Sequence, residues 1–455
     1  MSRLELNATL SIALLYIVRM LGLFMILPVL PLLMDDLSLA TPFLIGLALG
    51  VYGLSQAILQ IPMGLLSDRI GRKPVIFIGL SLFIVGSLVA AYATNIYGII
   101  AGRFLQGCGA IASTLLALLS DVTRVDNRSK AMAIVGMSIG ASFAIALIMG
   151  PWINSLYGIE GIFFGTAIAG LLGIVVLHFF IPVSQVGKSV AEPKAQIAKM
   201  WSLAKDPSLK RLTFSVFCLH FLLMSSFVAF PGAMEATGEI AVADHHWVYL
   251  SVLLTTFVLM GPFMWLADKR GMAKTMMLTM VSVFVLSAFI MSESTAYFPV
   301  VISLVLFFMA FNLLEVILPA LVSSLSPAGS RGAAMGVYST AQFAGAFCGG
   351  AIGGYALGFG DISHLMYVNI ALCLLWLVVA RGLPKLGNIK SMTYSLAEDD
   401  NRCANSQLNA LLSVEGVIEA VLIEAEDIVY LKVDSDVLDK NALDELKQSK
   451  VVPTA

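Results

Sequence analysis

Gly64-Leu65-Leu66-Ser67-Asp68-Arg69-Ile70-Gly71-Arg72-Lys73-Pro74 is a short, highly charged connection between two long apolar runs. Gly64 permits close packing of the preceding helix, and Gly71 supplies the left-handed residue that so short a turn needs. Asp68 falls at a helix C-terminus, where a carboxylate is disfavoured. It therefore requires a partner, either the N-terminus of a neighbouring helix or one of the adjacent arginines, Arg69 and Arg72. The runs on either side set the context. Of 455 residues, 59% are hydrophobic and 12% charged, whereas an average soluble domain is about 25% charged. That leaves too little polar material to surface a soluble protein of this length. A soluble enzyme, a disordered scaffold and a nucleic-acid binder are excluded as whole-chain readings. The net charge of −2 points to no polyanionic partner. Cys108, Cys218, Cys348 and Cys373 lie in apolar runs and Cys403 in a polar tail, with no spacing that suggests a disulfide framework or a metal site. The chain reads as an integral membrane protein.

About 20 mostly apolar residues cross roughly 30 Å of hydrocarbon. Twelve stretches qualify as spans 1 to 12: 9–33, 43–66, 74–94, 97–120, 131–154, 160–182, 212–235, 246–267, 274–292, 298–325, 332–356 and 362–384. Span 1 is no cleaved signal peptide, because it is too long, carries Arg19, and has Pro28 and Pro31 where small residues would be cleaved. Sixteen lysines and arginines fall in connections after even-numbered spans, and none in those after odd-numbered spans. The positive-inside rule then predicts that both termini are cytoplasmic. The longest connection, 183–211, contains Pro193, Pro207 and six basic residues, and reads as a cytoplasmic linker between bundles at 1–182 and 212–388. Within it, Ile197 to Leu203 fits a short interfacial helix.

The two bundles echo each other. Leu66-Ser67-Asp68-Arg69-Ile70-Gly71 matches Leu266-Ala267-Asp268-Lys269-Arg270-Gly271, and Arg128-Ser129-Lys130-Ala131-Met132 matches Arg331-Gly332-Ala333-Ala334-Met335. A duplicated six-helix unit in one orientation is the parallel-repeat arrangement of rocking secondary transporters. From about Ile389 the composition changes, and 389–455 reads as a small cytoplasmic domain. Strands are predicted over Met392–Leu396, Val417–Glu424 and Ile428–Val433, the last two joined by a turn at Glu426-Asp427. Helices are predicted over Asn405–Val414, with Leu408, Leu411 and Leu412 on one face, and over Leu438–Leu446. Val451-Val452 fits a last short strand. That order is the split βαβ of ferredoxin-like domains.

The 64–74 segment resembles the signature that follows the second helix in the major facilitator superfamily. With Asp121 and Arg124, the residues Gly64, Asp68, Arg69, Gly71 and Arg72 are then read as a conformational latch. Arg103-Phe104-Leu105-Gln106-Gly107-Cys108-Gly109-Ala110 resembles the superfamily's second signature, whose arginine is linked to proton coupling. Alternatively Arg103 snorkels to the outer interface. Gly107 and Gly109 are expected to pack helices. Gly136, Gly140 and the string Ala146-Leu147-Ile148-Met149-Gly150-Pro151 resemble the antiporter signature of drug:proton exchangers. The pattern departs from it at Ala146 and at Asn154-Ser155, where glycines are usual. Gly150 and Pro151 are expected to bend the helix, and ordinary tight packing is the alternative reading.

In that fold, helices 1, 4, 7 and 10 line the central cavity, and here they carry Arg19, Arg103, His220 and Glu315. These four are the expected proton-coupling residues, since a buried carboxyl or an imidazole can exchange a proton near neutral pH. His220 alone also suits a structural role; Glu315 and Asn312 in the same cavity favour the functional one. Tyr52, Gln56 and Gln60 share one face of span 2, and Tyr338 and Gln342 one face of span 11. With Asn312 they are expected to line a substrate cavity, or else to link helices by hydrogen bonds. The whole chain resembles the YajR-like subgroup, major facilitators with a C-terminal ferredoxin-like domain called YAM. The resemblance rests also on Arg19-Met20-Leu21-Gly22, Cys218-Leu219-His220 and Asn312-Leu313-Leu314-Glu315.

The expected fold is an all-α membrane protein of twelve transmembrane helices in two six-helix bundles, plus a small α+β ferredoxin-like domain. The resemblance implies a proton-coupled exporter of small amphipathic compounds in the bacterial inner membrane, functional as a monomer and working by alternating access. A proton-coupled nutrient or sugar importer and a transport-deficient sensor are the alternatives. No GxxxxGK[ST] loop is present, so the expected energy source is the proton gradient and no cofactor or metal is called for. The expected partners are the lipid bilayer, protons and a small-molecule substrate, without nucleic acid.

Overall fold

The Ser2 side chain accepts from the Glu5 backbone N–H, while the Glu5 carboxylate accepts from Ser2 N. This reciprocal cap starts α1 (Arg3–Phe24) well before the expected span 9–33. The helix also stops earlier, because Pro28 and Pro31 cannot donate to a helical ladder; one 3-10 turn, Leu30–Leu33, follows. The computed structural model describes residues 1–181, 193–269, 272–327, 330–383, 389–395, 404–423, 428–434, 437–439 and 441–443. After α1 come α2 (Pro42–Ile70), α3 (Arg72–Ala91), α4 (Ile96–Cys108), α5 (Ala112–Val122), α6 (Val125–Phe179) and α7 (Pro193–Lys205). Then follow α8 (Pro207–Glu235), α9 (His245–Lys269), α10 (Ala273–Glu293), α11 (Tyr297–Leu325), α12 (Arg331–Phe359) and α13 (Ile362–Arg381).

Two expected spans take another form. Span 4 is broken at Gly109-Ala110-Ile111 into α4 and α5. Spans 5 and 6 form one element, α6, whose backbone turns at Gly158 with φ 67° and ψ −174°. Pro151 stays inside the helix, so the turn belongs to Gly158 and not to the Gly150-Pro151 pair. Ala131 and Val135 from one arm pack in the same cluster as Leu177 and Ile181 from the other, which makes the arms antiparallel. Among the described residues, ten segments are long and apolar enough to cross a bilayer. The second arm of α6 and the glycine-rich α12 bring these to the twelve spans of the expected fold. The linker helix α7 is longer than the Ile197–Leu203 stretch read from sequence, and its Met200 packs beside Gly336 of α12.

The ends of the bundle are distinguished by their loops, one end basic and the other acidic. At the acidic end the halves meet through α2 and α12, almost backbone to backbone. A Cβ on Gly46 would lie 2.1 Å from Gly350 O, one on Gly350 2.4 Å from Gly46 O, and one on Gly354 2.3 Å from Pro42 O. Phe43 and Tyr355 close the rim with ring centroids 6.5 Å apart. Toward the basic end the situation reverses. Among the described residues, Gly136, Gly140 and Gly332 have nothing within 4 Å of a Cβ position, so Gly136 and Gly140 make no close helix contact there. The described backbone contact between the halves through Gly46, Gly350 and Gly354 lies at the acidic end.

The tail contains β1 (Ile389–Ser395), α14 (Ala404–Leu412), β2 (Val417–Ile423) and β3 (Ile428–Asp434). Its sheet order is β1-β3-β2, antiparallel throughout, with Met392 opposite Leu431 and Ala420 opposite Leu431 on the other side. Leu408 and Leu411 face the small core with Val429, Leu431 and Val433, whereas Leu412 turns to solvent. The expected turn at Glu426-Asp427, most of the second helix and the strand at Val451-Val452 lie outside the described residues, as do 183–192 of the linker and Cys403. The tail meets the end of α11, where Lys432 Nζ donates to Leu325 O at 3.3 Å and Ser326 O at 3.4 Å.

Gly350→Val should disrupt the seal at the acidic end, at a cost of about 1–3 kcal/mol for overpacking. In a background free of native cysteines, Phe43→Cys and Tyr355→Cys should cross-link readily. Adding Gly350→Val should suppress that cross-link; an unchanged yield would show that the seal does not depend on glycine.

Candidate functional site

Arg103 is 0% exposed, which removes the snorkelling reading. It lies on α4, and its guanidinium ties three helices together. Nη1 donates to Gly22 O at 2.8 Å and to Gln106 Oε1 at 3.1 Å, Nη2 to Leu23 O at 3.3 Å, and Nε to Ala48 O at 3.4 Å. Gly22 and Leu23 belong to the last turn of α1, where carbonyls lack helical partners and a cation is favoured. Gln106 is held in turn by Ser87 Oγ, to which its Nε2 donates at 2.8 Å. Close approaches to α2 and α3 make this possible: a Cβ on Gly107 would lie 1.9 Å from Ser55 Oγ of α2, and one on Gly109 2.4 Å from Gly79 O of α3. Gly150 similarly sits against Met25 O, at 2.2 Å from a Cβ position.

Tyr52 of α2 lies between two arginines. The Arg103 Cζ is 5.0 Å from its ring centroid, and Arg19 Nη2 donates to its hydroxyl at 3.4 Å. Gln56 and Gln60 follow at helical spacing and are buried, with both amide atoms of Gln56 and Oε1 of Gln60 unpaired. The first half thus presents buried cations and neutral polar groups.

The second half presents a carboxylate and an imidazole. His220 of α8 donates from Nδ1 to Val216 O at 3.1 Å. In the neutral ring Nε2 then carries the lone pair, and it accepts from Gln342 Nε2 of α12 at 2.7 Å. Glu315 of α11 places Oε2 3.5 Å from the same Nε2. That oxygen has no hydrogen-bond partner, and the side chain is 34% exposed, while His220 is 7% exposed. Asn312, one turn from Glu315, has an unpaired Nδ2, and the buried Tyr338 hydroxyl is unpaired too. The structure therefore brings His220, Glu315 and Gln342 into contact, and it joins Arg19, Tyr52 and Arg103 separately. Phe311 stands between the sets, 6.0 Å from His220 and 5.6 Å from Phe143, which in turn meets Phe24 at 4.9 Å.

At the basic end Asp68 finds its partner in Arg72, one of the two kinds foreseen. Arg72 also donates from Nη1 to Ser67 Oγ at 2.7 Å and from Nε to Asp121 Oδ2 at 3.3 Å. Gly71 carries the φ of 98° that the short turn demands, Arg69 is exposed, and Gly64 backs onto Ser113 of α5. Arg124 pairs with Glu5, Nε to Oε1 at 3.1 Å, and its backbone N–H donates to the same oxygen at 2.9 Å. Sequence reasoning missed Glu5, although the Ser2-x-x-Glu5 capping pattern is present to be read. The side chains of Asp268 to Gly271 in the second repeat lie outside the described residues.

The Major Facilitator Superfamily model matches residues 12–234 and 212–392. The inner membrane transport protein YajR of Escherichia coli is 41% identical over 443 residues, 97% of each chain. Multidrug resistance protein 2 of Bacillus subtilis is 26% identical over 380 residues, 79% of this chain and 92% of that protein. The solved nucleoside transporter NupG has the same fold, with a TM-score of 0.65, 14% identity, and coverage of 82% of this chain and 99% of its own.

Arg103→Lys replaces a planar fork with a point charge that cannot hold Gly22 and Leu23 together. It should cost about 1–3 kcal/mol in stability, read as a lowered Tm of the purified protein. A variant as stable as the parent would remove Arg103 from its capping role.

Proposed function

The chain belongs to the Major Facilitator Superfamily and is a multi-pass membrane transporter, and from that premise we propose that it exports small amphipathic compounds in exchange for protons. Its likeness to a multidrug resistance protein favours export over nutrient import. The excess of basic residues at one end orients that end toward the cytoplasm of a bacterial inner membrane. With the halves in backbone contact through α2 and α12 at the opposite end, we read this arrangement as closed to the outside.

The observation that carries proton coupling is the 3.5 Å approach of Glu315 Oε2 to His220 Nε2, with the Glu315 side chain about a third exposed. Glu315 and His220 hold the coupling proton in this reading. When His220 is neutral, Gln342 donates to Nε2. When it is protonated, Nε2 needs an acceptor, and an ionised Glu315 is the strongest at hand. Proton uptake thus exchanges a bond to α12 for a bond to α11. Because α12 forms the seal with α2, this exchange acts on the helix that must move when the halves rock. Arg19 and Arg103 contribute positive charge to the first half in this reading.

The latch of Asp68, Arg72 and Asp121, with Glu5 and Arg124 beside it, favours one arrangement of the halves. The tail, carrying the acidic excess of the chain, is a ferredoxin-like regulatory domain whose Lys432 caps the end of α11. Since α11 also bears Glu315, tail and proton site share one rigid helix.

Glu315→Gln should abolish gradient-driven transport in proteoliposomes while leaving exchange of substrate for substrate intact. Accumulation against a gradient under a pH difference in that variant would assign coupling elsewhere. Asp68→Asn should slow turnover severely yet hold substrate binding within a few-fold; loss of binding in a folded variant would contradict the latch.

A further inference from the structure

Arg19 lies mid-membrane on α1 at 1% exposure, and its Nε and Nη1 have no hydrogen-bond partner. Its described bond, from Nη2 to Tyr52 OH, is long at 3.4 Å. A buried charge without a partner is strongly disfavoured, and a charge in a membrane span is normally matched by a counter-group. The surrounding groups do not match it. Tyr52 OH accepts from Arg19 and keeps its own proton to donate. Gln56 is one turn along the same face of α2, 0% exposed, with Nε2 and Oε1 both unpaired. Arg103 adds a second positive charge beside Tyr52, but its described hydrogen bonds commit it to Gly22, Leu23, Ala48 and Gln106. The free donors are therefore Nε and Nη1 of Arg19, the hydroxyl of Tyr52 and the amide of Gln56. No carboxylate is among their described partners.

A set of donors with excess positive charge recognises an anion. We propose that Arg19, Tyr52 and Gln56 form an anion subsite that takes the carboxylate or sulfonate head of an amphipathic organic anion, and that such anions are the substrate class. The guanidinium fork suits an oxyanion with two oxygens in reach. The rings of Phe24, Phe143 and Phe311 form a largely buried apolar chain from the first half to His220, which the body of such a molecule would enter. The inference rests on the transporter reading above and names its substrate; it does not depend on which residue carries the proton.

Octanesulfonate and octyltrimethylammonium have the same tail and opposite permanent charges, and so serve as probes for the purified full chain. Octanesulfonate should bind, and octyltrimethylammonium should neither bind at that site nor displace it. Arg19→Gln should weaken sulfonate binding at least tenfold. Arg19→Lys keeps the charge and loses the fork, so a few-fold loss is expected there, as in Tyr52→Phe; these variants report even if Arg19→Gln does not fold. Absent sulfonate binding, a preference for the ammonium probe, or affinities unchanged in both Arg19 variants would overturn the subsite. None of those results touches the Glu315→Gln flux measurement, so a failed anion subsite and a failed proton site are told apart.

Discussion

Hydrocarbon offers no hydrogen bonds, so every interruption of a membrane helix must be satisfied by the protein itself. This chain interrupts two spans: α1 ends at Phe24, and α4 gives way to α5 across 109–111. Arg103 answers the first break. Its N–H groups bond the Gly22 and Leu23 carbonyls while Nε holds Ala48 O on α2, so one charged group closes a helix end and fixes three helices. The lost hydration of that charge is offset by several acceptors at once, and helix C-terminal carbonyls are partly negative already. Removing it would leave carbonyls open in a medium that cannot satisfy them.

The same economy recurs at the basic end, in both halves. Lys73, at the start of α3, donates to Ile181 O just beyond the second arm of α6. Lys274, at the start of α10, donates to Arg381 O at 2.9 Å and to Leu383 O, at the end of α13. In each half a lysine opening the third span caps the close of the sixth. The duplicated strings around Asp68 and Asp268 announce the repeat. The lysine caps show that it is kept at the level of hydrogen bonds, where the two sequences differ by a one-residue offset.

Much of this was legible because the bilayer makes simple demands. Apolar length finds the spans, and the placement of lysine and arginine separates the two ends. Asp68 advertises its need for a cation through its position at a helix end, and the i,i+4 spacing to Arg72 makes that partner available. Where the sequence fell short, the deciding contact was tertiary. Gly136 and Gly140 look like packing residues, yet their neighbours depend on how the two halves are arranged. Gly46 and Gly350 carry no local sign that they meet, because their approach is set by the crossing of α2 and α12. Gln342 was foreseen as a polar lining residue, but only the position of the His220 ring gives it a definite donor role.

The two halves bring unlike chemistry to the membrane interior, and that asymmetry bears on how a proton can drive rocking. The first half holds two arginines. The second holds an imidazole and a carboxyl, His220 and Glu315, 3.5 Å apart. Between them run the rings of Phe143 and Phe311, which exclude water and keep the intervening medium weakly polarisable, so a change of one charge is felt more strongly there than in water. Under the proposed reading no extended relay is needed to reach the seal. His220 is one bond from Gln342, and the carbonyl of the next residue, Phe343, stands 2.7 Å from a Cβ position on Gly53 of α2. A change of hydrogen-bond partner at His220 is therefore delivered to α12 at the point where it leans on the opposite half. Glycine there leaves no side chain to absorb a small displacement, so the contact either closes or parts.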